Sequence, residues 1–298
     1  MTTKPVIHVG IDGSWRDSGA LDWALQEAQL RHEPLRAVHV IDDKLRNTSY
    51  WQPTVVDDAA MELVKDVQRH LDNSPGPLDH EMDLVAGPPA ATLSEVAADG
   101  RMLVVGRRGL GDFRRLVIGS TSEAVASGAT RPVVVIPDRW KPSDHAGPVV
   151  VAVEDADTDH EAIDFAVATA TERNLPVRLL HAWDLPTMYS WDAVNVAGVS
   201  DELMDRSRRR VEALADRLRS KYPGLTVEVD VRRGHPVDSI VTASEESDAQ
   251  LLVVGGRRHH RLTSMLLGSV ARGILHHPTC PIAVVHDRRD DAADAGTC

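Results

Sequence analysis

Short apolar runs recur along the chain, separated by longer stretches in which apolar residues return every three or four positions. Val6 to Ile11 is one such run, as a strand buried on both faces would be. From Ser18 to Leu30 the apolar residues Leu21, Ala24, Leu25 and Ala28 have helical spacing. Strand-like runs follow at 35–41, 79–85, 102–106 and 132–137, and helical stretches lie near 55–72, 90–99 and 120–128. Five strands alternating with four helices predict an α/β unit, a doubly wound open parallel sheet.

The same order then repeats. Val9-Gly10-Ile11-Asp12-Gly13-Ser14 recurs as Val151-Ala152-Val153-Glu154-Asp155-Ala156, and Leu35–Val40 recurs as Val177–Ala182, both at an offset of 142. Leu103-Val104-Val105-Gly106 recurs as Leu252-Val253-Val254-Gly255 at an offset of 149. That offset also carries Gly119-Ser120 onto Gly268-Ser269 and Pro132–Val135 onto Pro281–Val284. A period this long is a domain duplication, not a solenoid. The predicted division is 1–140 and 147–287, joined through the polar segment Trp140–Gly147, with a tail at 288–298 that has no apolar face and reads as disordered. The second copy also carries a long amphipathic stretch, Asp201–Tyr222, with Leu203, Val211, Leu214 and Leu218 as its stripe.

Composition agrees with two domains. The chain has 298 residues, 42% apolar and 26% charged, about twice a common domain length. Its net charge of −12 argues against general nucleic-acid binding, which needs a cationic surface. No apolar run approaches a membrane span, and the N-terminus enters a strand-like run at once. The two cysteines, Cys280 and Cys298, form neither a disulfide framework nor a metal spacing. A soluble, cytoplasmic protein is expected.

In doubly wound sheets ligands sit beyond the carboxyl ends of the strands, where the strand order reverses. Two strand ends carry unusual residues, Gly10-Ile11-Asp12-Gly13-Ser14 and Gly106-Arg107-Arg108-Gly109. If both serve one site, the order is 3-2-1-4-5. The second end continues as Gly106-x2-Gly109-x9-Gly119-Ser120 and runs into a helix. Glycines let backbone amides approach an anion, and Ser120, Thr121 and Ser122 open a helix whose free amides favour phosphate. Residues 101–115 hold five Arg and one Asp, among them Arg107, Arg108, Arg114 and Arg115, a cationic patch on an acidic protein. Taken singly, these features have structural readings: Ser120-x-x-Glu123 is also a capping box, and glycines after strands serve turns. The three glycines and the serine together, at a switch point, tip the reading towards a ligand.

With Val9-Gly10-Ile11-Asp12-Gly13-Ser14 and the last strand Pro132–Pro137, the G-x2-G-x9-G-S run resembles the universal stress protein family, and the whole chain resembles its tandem form. The run marks the ATP-binding branch. The resemblance implies order 3-2-1-4-5 and an adenine nucleotide, ATP with or without Mg2+, in each competent domain. It places Asp12, with Gly10, by the adenosine. Val40 offers backbone polar groups to adenine, and Gly106, Gly109, Gly119, Ser120 and Thr121 hold ribose and phosphates, with Arg107 and Arg108 nearby. It also pairs the last strands, Val133–Ile136 and Ile282–Val285, within one chain, with a homodimer of tandem chains as a further expectation; exposed apolar edge strands invite such pairing.

The second copy departs from this pattern. Asp12 becomes Glu154, Gly13-Ser14 becomes Asp155-Ala156, and Gly109 becomes Arg258, while Gly255, Gly268 and Ser269 remain. Its candidate set is Glu154, Ala182, Gly255, Arg257, Arg258, Gly268, Ser269 and Val270. The cluster Arg257–Arg261 keeps an anion in play with altered geometry; the alternative is a degenerate copy serving as scaffold.

Other constellations fail. There is no G-x4-G-K-[S/T] among the contexts of the five lysines, no nucleophile elbow, and no completed zinc-protease motif at His32-Glu33, His80-Glu81 or His160-Glu161. The adjacent pairs His259-His260 and His276-His277 read as surface residues. His39 and His181 occupy matching strand-two positions and read as hydrogen-bonded structural groups; Trp51 and Trp191 read as packing residues, with cover for a nucleotide or an interface as their alternative. Phosphoryl transfer needs a positioned metal and a water-orienting group. Near the loop only Asp112 is acidic, and no lysine is available. A nucleotide-dependent regulator of stress or growth arrest is therefore the first reading, and a slow ATP hydrolase or nucleotide-transferring enzyme the second; a scaffold without nucleotide is disfavoured by Asp12 and the intact first motif. The regulated protein partner is not legible.

Overall fold

The computed structural model describes residues 4–42, 53–76, 78–109, 118–142, 146–154, 160–184, 193–256 and 267–286. The first half runs β1 (Ile7–Ile11), α1 (Trp15–Ser18), α2 (Ala20–Arg31), β2 (Leu35–Ile41), α3 (Pro53–Asp72), β3 (His80–Ala86), α4 (Pro89–Val96), β4 (Met102–Gly106), α5 (Ser120–Gly128) and β5 (Val133–Ile136). The second runs β6 (Val149–Ala152), α6 (His160–Arg173), β7 (Val177–Trp183), α7 (Ala193–Lys221), β8 (Val227–Arg233), α8 (Pro236–Glu246), β9 (Leu251–Gly256), α9 (Ser269–His276) and β10 (Ile282–His286).

All the strands lie in one sheet, ordered β3-β2-β1-β4-β5-β10-β9-β6-β7-β8. Read inward from its outer edge, each half has order 3-2-1-4-5. Pairing is parallel within each half and antiparallel where β5 meets β10. Val134 lies opposite Ala283 there, and the 149 offset makes these two equivalent residues. A local twofold therefore passes through that pair.

The β-branched strands are buried on both faces, as parallel strands under two helix layers require. Ile7, Val9 and Ile11 of β1 face a core with Trp23, Ala24 and Leu25 of α2. Val105 of β4 and Val133 and Val135 of β5 face the opposite core, with Leu93 of α4 and Val125 and Ala126 of α5. Each such side chain contributes about 1.5–3 kcal/mol on burial. Both cores run through both halves. The helical stretch read at 18–30 is α2, and a short helix, α1, precedes it: Gly19, at φ 70°, ends α1 in the left-handed region and opens α2. Trp140, at the head of the linker segment, is buried in the first half's core, and Gly147 N at its far end donates to Asp248 O at 2.9 Å.

The halves also meet above and below the sheet. On one face, α2 packs beside α6 around Glu27, which is fully buried. Its carboxylate pairs with Arg31 at 3.0 Å and with Arg173 of the other half. Arg31 also pairs with Glu172 and donates to Thr169 Oγ1 at 3.4 Å. On the other face, α5 packs near α9. Among the described residues, no helix is long and apolar enough to cross a membrane. The segment read as a disordered tail, and Cys298, Trp51 and Trp191, lie outside the described residues.

Candidate functional site

In the first half the chain leaves β1 towards β2 on one side and meets β4 on the other, so the carboxyl ends of β1 and β4 diverge at a switch point. A cavity of about 640 Å³ opens there. Ile11, Val38, Val40, Leu93, Val105 and Ile118 give it apolar walls. Asp12, Ser14, Ser18, His39, Arg108 and Ser120–Ser122 supply the polar groups. Such a mixture suits a ligand with a flat apolar part and a charged end.

Asp12 is held in place by its own turn. Its Oδ1 accepts from Ser14 N at 2.9 Å and from Ser14 Oγ at 2.6 Å, while its carbonyl accepts from Trp15 N at 3.1 Å and starts α1. Its Oδ2 faces Gly109 so closely that a Cβ on Gly109 would overlap it. Glycine is thus needed at 109 by the neighbouring carboxylate, an additional reason to the backbone approach expected from sequence. Gly10 lines the cavity floor beside Leu93.

The anion end is built by α5. Its N-cap is Gly119, extended at φ −71° and ψ 143°, and no side chain caps the helix. The capping box read as an alternative at Ser120-x-x-Glu123 is not formed, because the helix starts one residue earlier and Glu123 N bonds to Gly119 O at 2.9 Å. The amides of Ser120, Thr121 and Ser122 therefore precede the first intrahelical bond and face the cavity side, at the positive end of the helix dipole. Ser122 Oγ donates to Gly106 O at 2.7 Å, and Gly119 N to Arg107 O at 2.8 Å, tying the helix start to the end of β4.

Of the two arginines after β4, Arg108 lines the cavity, with Nε 3.4 Å from Asp138. Arg107, read from sequence as lying near the phosphates, is not among the lining residues. Its side chain turns away towards Asp138 at 3.7 Å, and its Nη2 donates to the carbonyl of His276 in the second half at 3.1 Å. Both arginines thus reach the same Asp138 carboxylate, and Arg107 is the one that crosses to the other half. Burial, and then the neighbouring Arg108 charge, lower the Arg107 pKa, with Asp138 opposing. Asp112, Arg114 and Arg115 lie outside the described residues.

His39 and His181 are matched, as expected: each ring Nδ1 donates to the carbonyl that closes the neighbouring strand or follows it, Ile11 O and Val153 O, both at 2.8 Å. His39 also lines the cavity. That role was not legible, nor were those of Ser18, Pro89 and Leu93; the helical spacing of α4 marks Leu93 as core but does not say which end of the sheet it covers.

In the second half, Glu154 follows β6 and is exposed, Ala182 lies on β7, Gly255 on β9, and Gly268 is the uncapped N-cap of α9, followed by Ser269 and Val270. These are the same places on the fold as their first-half counterparts. Arg257, Arg258, His259 and His260 lie outside the described residues. Among the described residues no group of His, Cys, Asp and Glu could hold a metal ion.

The universal stress protein family model matches residues 5–137 and 146–286. A universal stress protein of Mycobacterium tuberculosis is 29% identical over 297 residues, covering 94% of this chain and 96% of its own. One of Mycolicibacterium smegmatis is 29% identical over 302 residues, covering 96% and 98%. The crystal structure of a universal stress protein from Archaeoglobus fulgidus shares the fold, with a TM-score of 0.70 at 17% identity over 96% of this chain and 99% of that one. With its two matched segments and its two 3-2-1-4-5 units in one sheet, the chain belongs to the universal stress protein family in its tandem-domain form.

Proposed function

We propose that the first domain binds an adenine nucleotide, ATP with Mg2+ as its counter-ion, and that the protein is a nucleotide-dependent regulator with little or no turnover. The observation that carries this reading is the uncapped N-terminus of α5 opening on a cavity at the switch point, with Arg108 beside it. Free helix amides and a guanidinium fit phosphate oxygens. The apolar walls from Val38, Val40 and Leu93 fit a base, and Asp12 fits a ribose hydroxyl donor. Gly106, Gly109, Gly119, Ser120 and Thr121 would hold the phosphate side.

Binding is favoured over hydrolysis by the lining. Among the described residues no lysine borders the cavity, and Asp12 is its one acidic residue, already engaged by Ser14. Among the described lining residues, no further carboxylate or lysine is placed to orient a water for attack. The second domain keeps the helix start but carries Glu154 and Arg258, and is proposed as a weaker site or a scaffold. The intramolecular β5–β10 pairing is proposed to persist in solution, since it covers both apolar edges.

Mass spectrometry of small molecules released from the purified, denatured protein tests the reading, together with a phosphate-release assay on the same sample. Recovered adenine nucleotide without release supports it. No recovered nucleotide and no heat on adding ATP would remove it; steady release would favour the hydrolase.

A further inference from the structure

The helix that carries the anion end of the first site, α5, is tied to its counterpart α9 across the local twofold. Glu123 in the first turn of α5 and Arg272 of α9 are equivalent positions under the 149 offset, and they pair with each other at 2.9 Å. In two identical copies this position would meet itself and bring like charges together. The tandem chain instead places opposite charges there. A second tie runs from Arg107, at the foot of the Gly106–Gly109 turn, to the carbonyl of His276, the last residue of α9. A guanidinium suits that place because the C-terminal carbonyls of a helix are unsatisfied and carry the negative end of its dipole.

Glu123 has an electrostatic consequence. It sits just inside the open N-terminus of α5. A carboxylate there stabilises the helix by itself but opposes a second anion at the same amides. Arg272 cancels that charge. Neither residue lines the cavity, so each acts on a ligand only through the field and through the placing of α5. The pair is a third to a half exposed, which makes its effect modest and sensitive to salt.

We propose that the second domain is a built-in positioning partner of the first domain's anion site: Arg272 neutralises Glu123 at the mouth of α5, while the end of α9 holds Arg107 and with it the Gly106–Gly109 turn. The inference rests on the nucleotide reading above and adds a regulation to it. Anything that separates α9 from α5 weakens phosphate binding in the first domain, and a bound phosphate in turn favours the closed domain pair, as linkage requires.

The test uses the full chain, with ATP and adenosine as probes in calorimetric titrations at low and high salt. In Arg272→Gln the ATP affinity is expected to fall about fivefold at low salt, the size of a screened charge effect near a helix end, while adenosine affinity stays within about twofold. Glu123→Gln/Arg272→Gln is expected to recover ATP binding, because the charge that needed cancelling is gone, and Glu123→Gln alone to bind ATP as well as or better than the wild type. Unchanged ATP affinity in Arg272→Gln, or a parallel loss of both probes without rescue, would overturn the inference while leaving the site in place. A wild-type chain that binds neither probe would overturn both.

Discussion

Glu27 on α2 and Thr169 on α6 are equivalent under the 142 offset, and so are Arg31 and Arg173. Two matched arginines thus share the Glu27 carboxylate across the twofold, with Glu172 as a further partner of Arg31, where a pair of identical chains would bring two copies of Glu27. The same contrast recurs on the other face of the sheet. Glu123 meets Arg272. Arg107 crosses to the carbonyl of His276, whereas its equivalent is Gly256, where a Cβ would overlap the His286 ring; there His286 Nε2 crosses instead, donating to Ala126 O at 2.8 Å. The central strands, by comparison, stay apolar and buried in both halves. The divergences that bear on the site lie in the loops at the carboxyl ends of the strands and in the residues on the twofold. Fusing two units in one chain frees both from the requirement of identity. One half can then keep the open cavity while the other supplies charges that complement it.

The largest effect that would sharpen this comparison is at Glu27. Glu27→Ala leaves Arg31 and Arg173, whose side chains are 3% and 7% exposed, without their shared carboxylate. Breaking a buried pair from one side costs about 3–5 kcal/mol. Thr169→Ala, the equivalent change, removes one long hydrogen bond and is expected to cost about 1 kcal/mol or less. Urea denaturation of both variants reads the difference, and equal losses would break the asymmetry.

Next comes Gly109→Arg, which copies the second half's residue. Overpacking against Asp12 costs about 1–3 kcal/mol, which corresponds to a loss of about five- to 150-fold in ATP affinity. Gly109→Ala meets the same carboxylate and is expected near the lower end. Titrations in which Gly109→Arg binds like the wild type would take this turn out of the site.

Asp12→Glu, the other second-half residue, moves the carboxylate one methylene out of its turn. The two bonds from Ser14 cannot both survive, and an ATP affinity loss of about fivefold, roughly 1 kcal/mol, is expected. A tighter complex would mean that Glu154 is a competent replacement.

The smallest effect concerns His8, whose equivalent on β6 is Val150. His8 is buried, and burial first, then the Arg36 charge, lower its pKa. The unfolded chain therefore binds the proton more readily. The stability associated with a neutral His8 is complete above the ordinary imidazole value near 6.5 and is lost as pH falls below it. His8→Val is expected to flatten the acid side of the melting-temperature profile without altering the alkaline side. An unchanged profile would contradict the assignment.

Much of this was legible before the structure. The alternation of apolar runs and helical spacing marked the elements, because strands buried on both faces leave a continuous signal. The duplication was plain because the offsets are long and consistent. The site's place followed from the strand order and its glycines. What stayed hidden depends on distances across the fold. The partner that draws Arg107, the carbonyl of His276, belongs to the other half. The short α1, ended by the left-handed Gly19, lies ahead of the apolar stripe that marks α2. The roles of Glu27, Glu123 and Arg272 exist only once the two halves face each other, and no local pattern carries that information.

Titration of the full chain with ATP, beside the same titration of Gly109→Arg, tests the central claim most directly. The account predicts one tight site per chain in the wild type, and loss of that site in the variant with any weaker second event unchanged. Two equal sites per chain, or a tight site that survives Gly109→Arg, would contradict it.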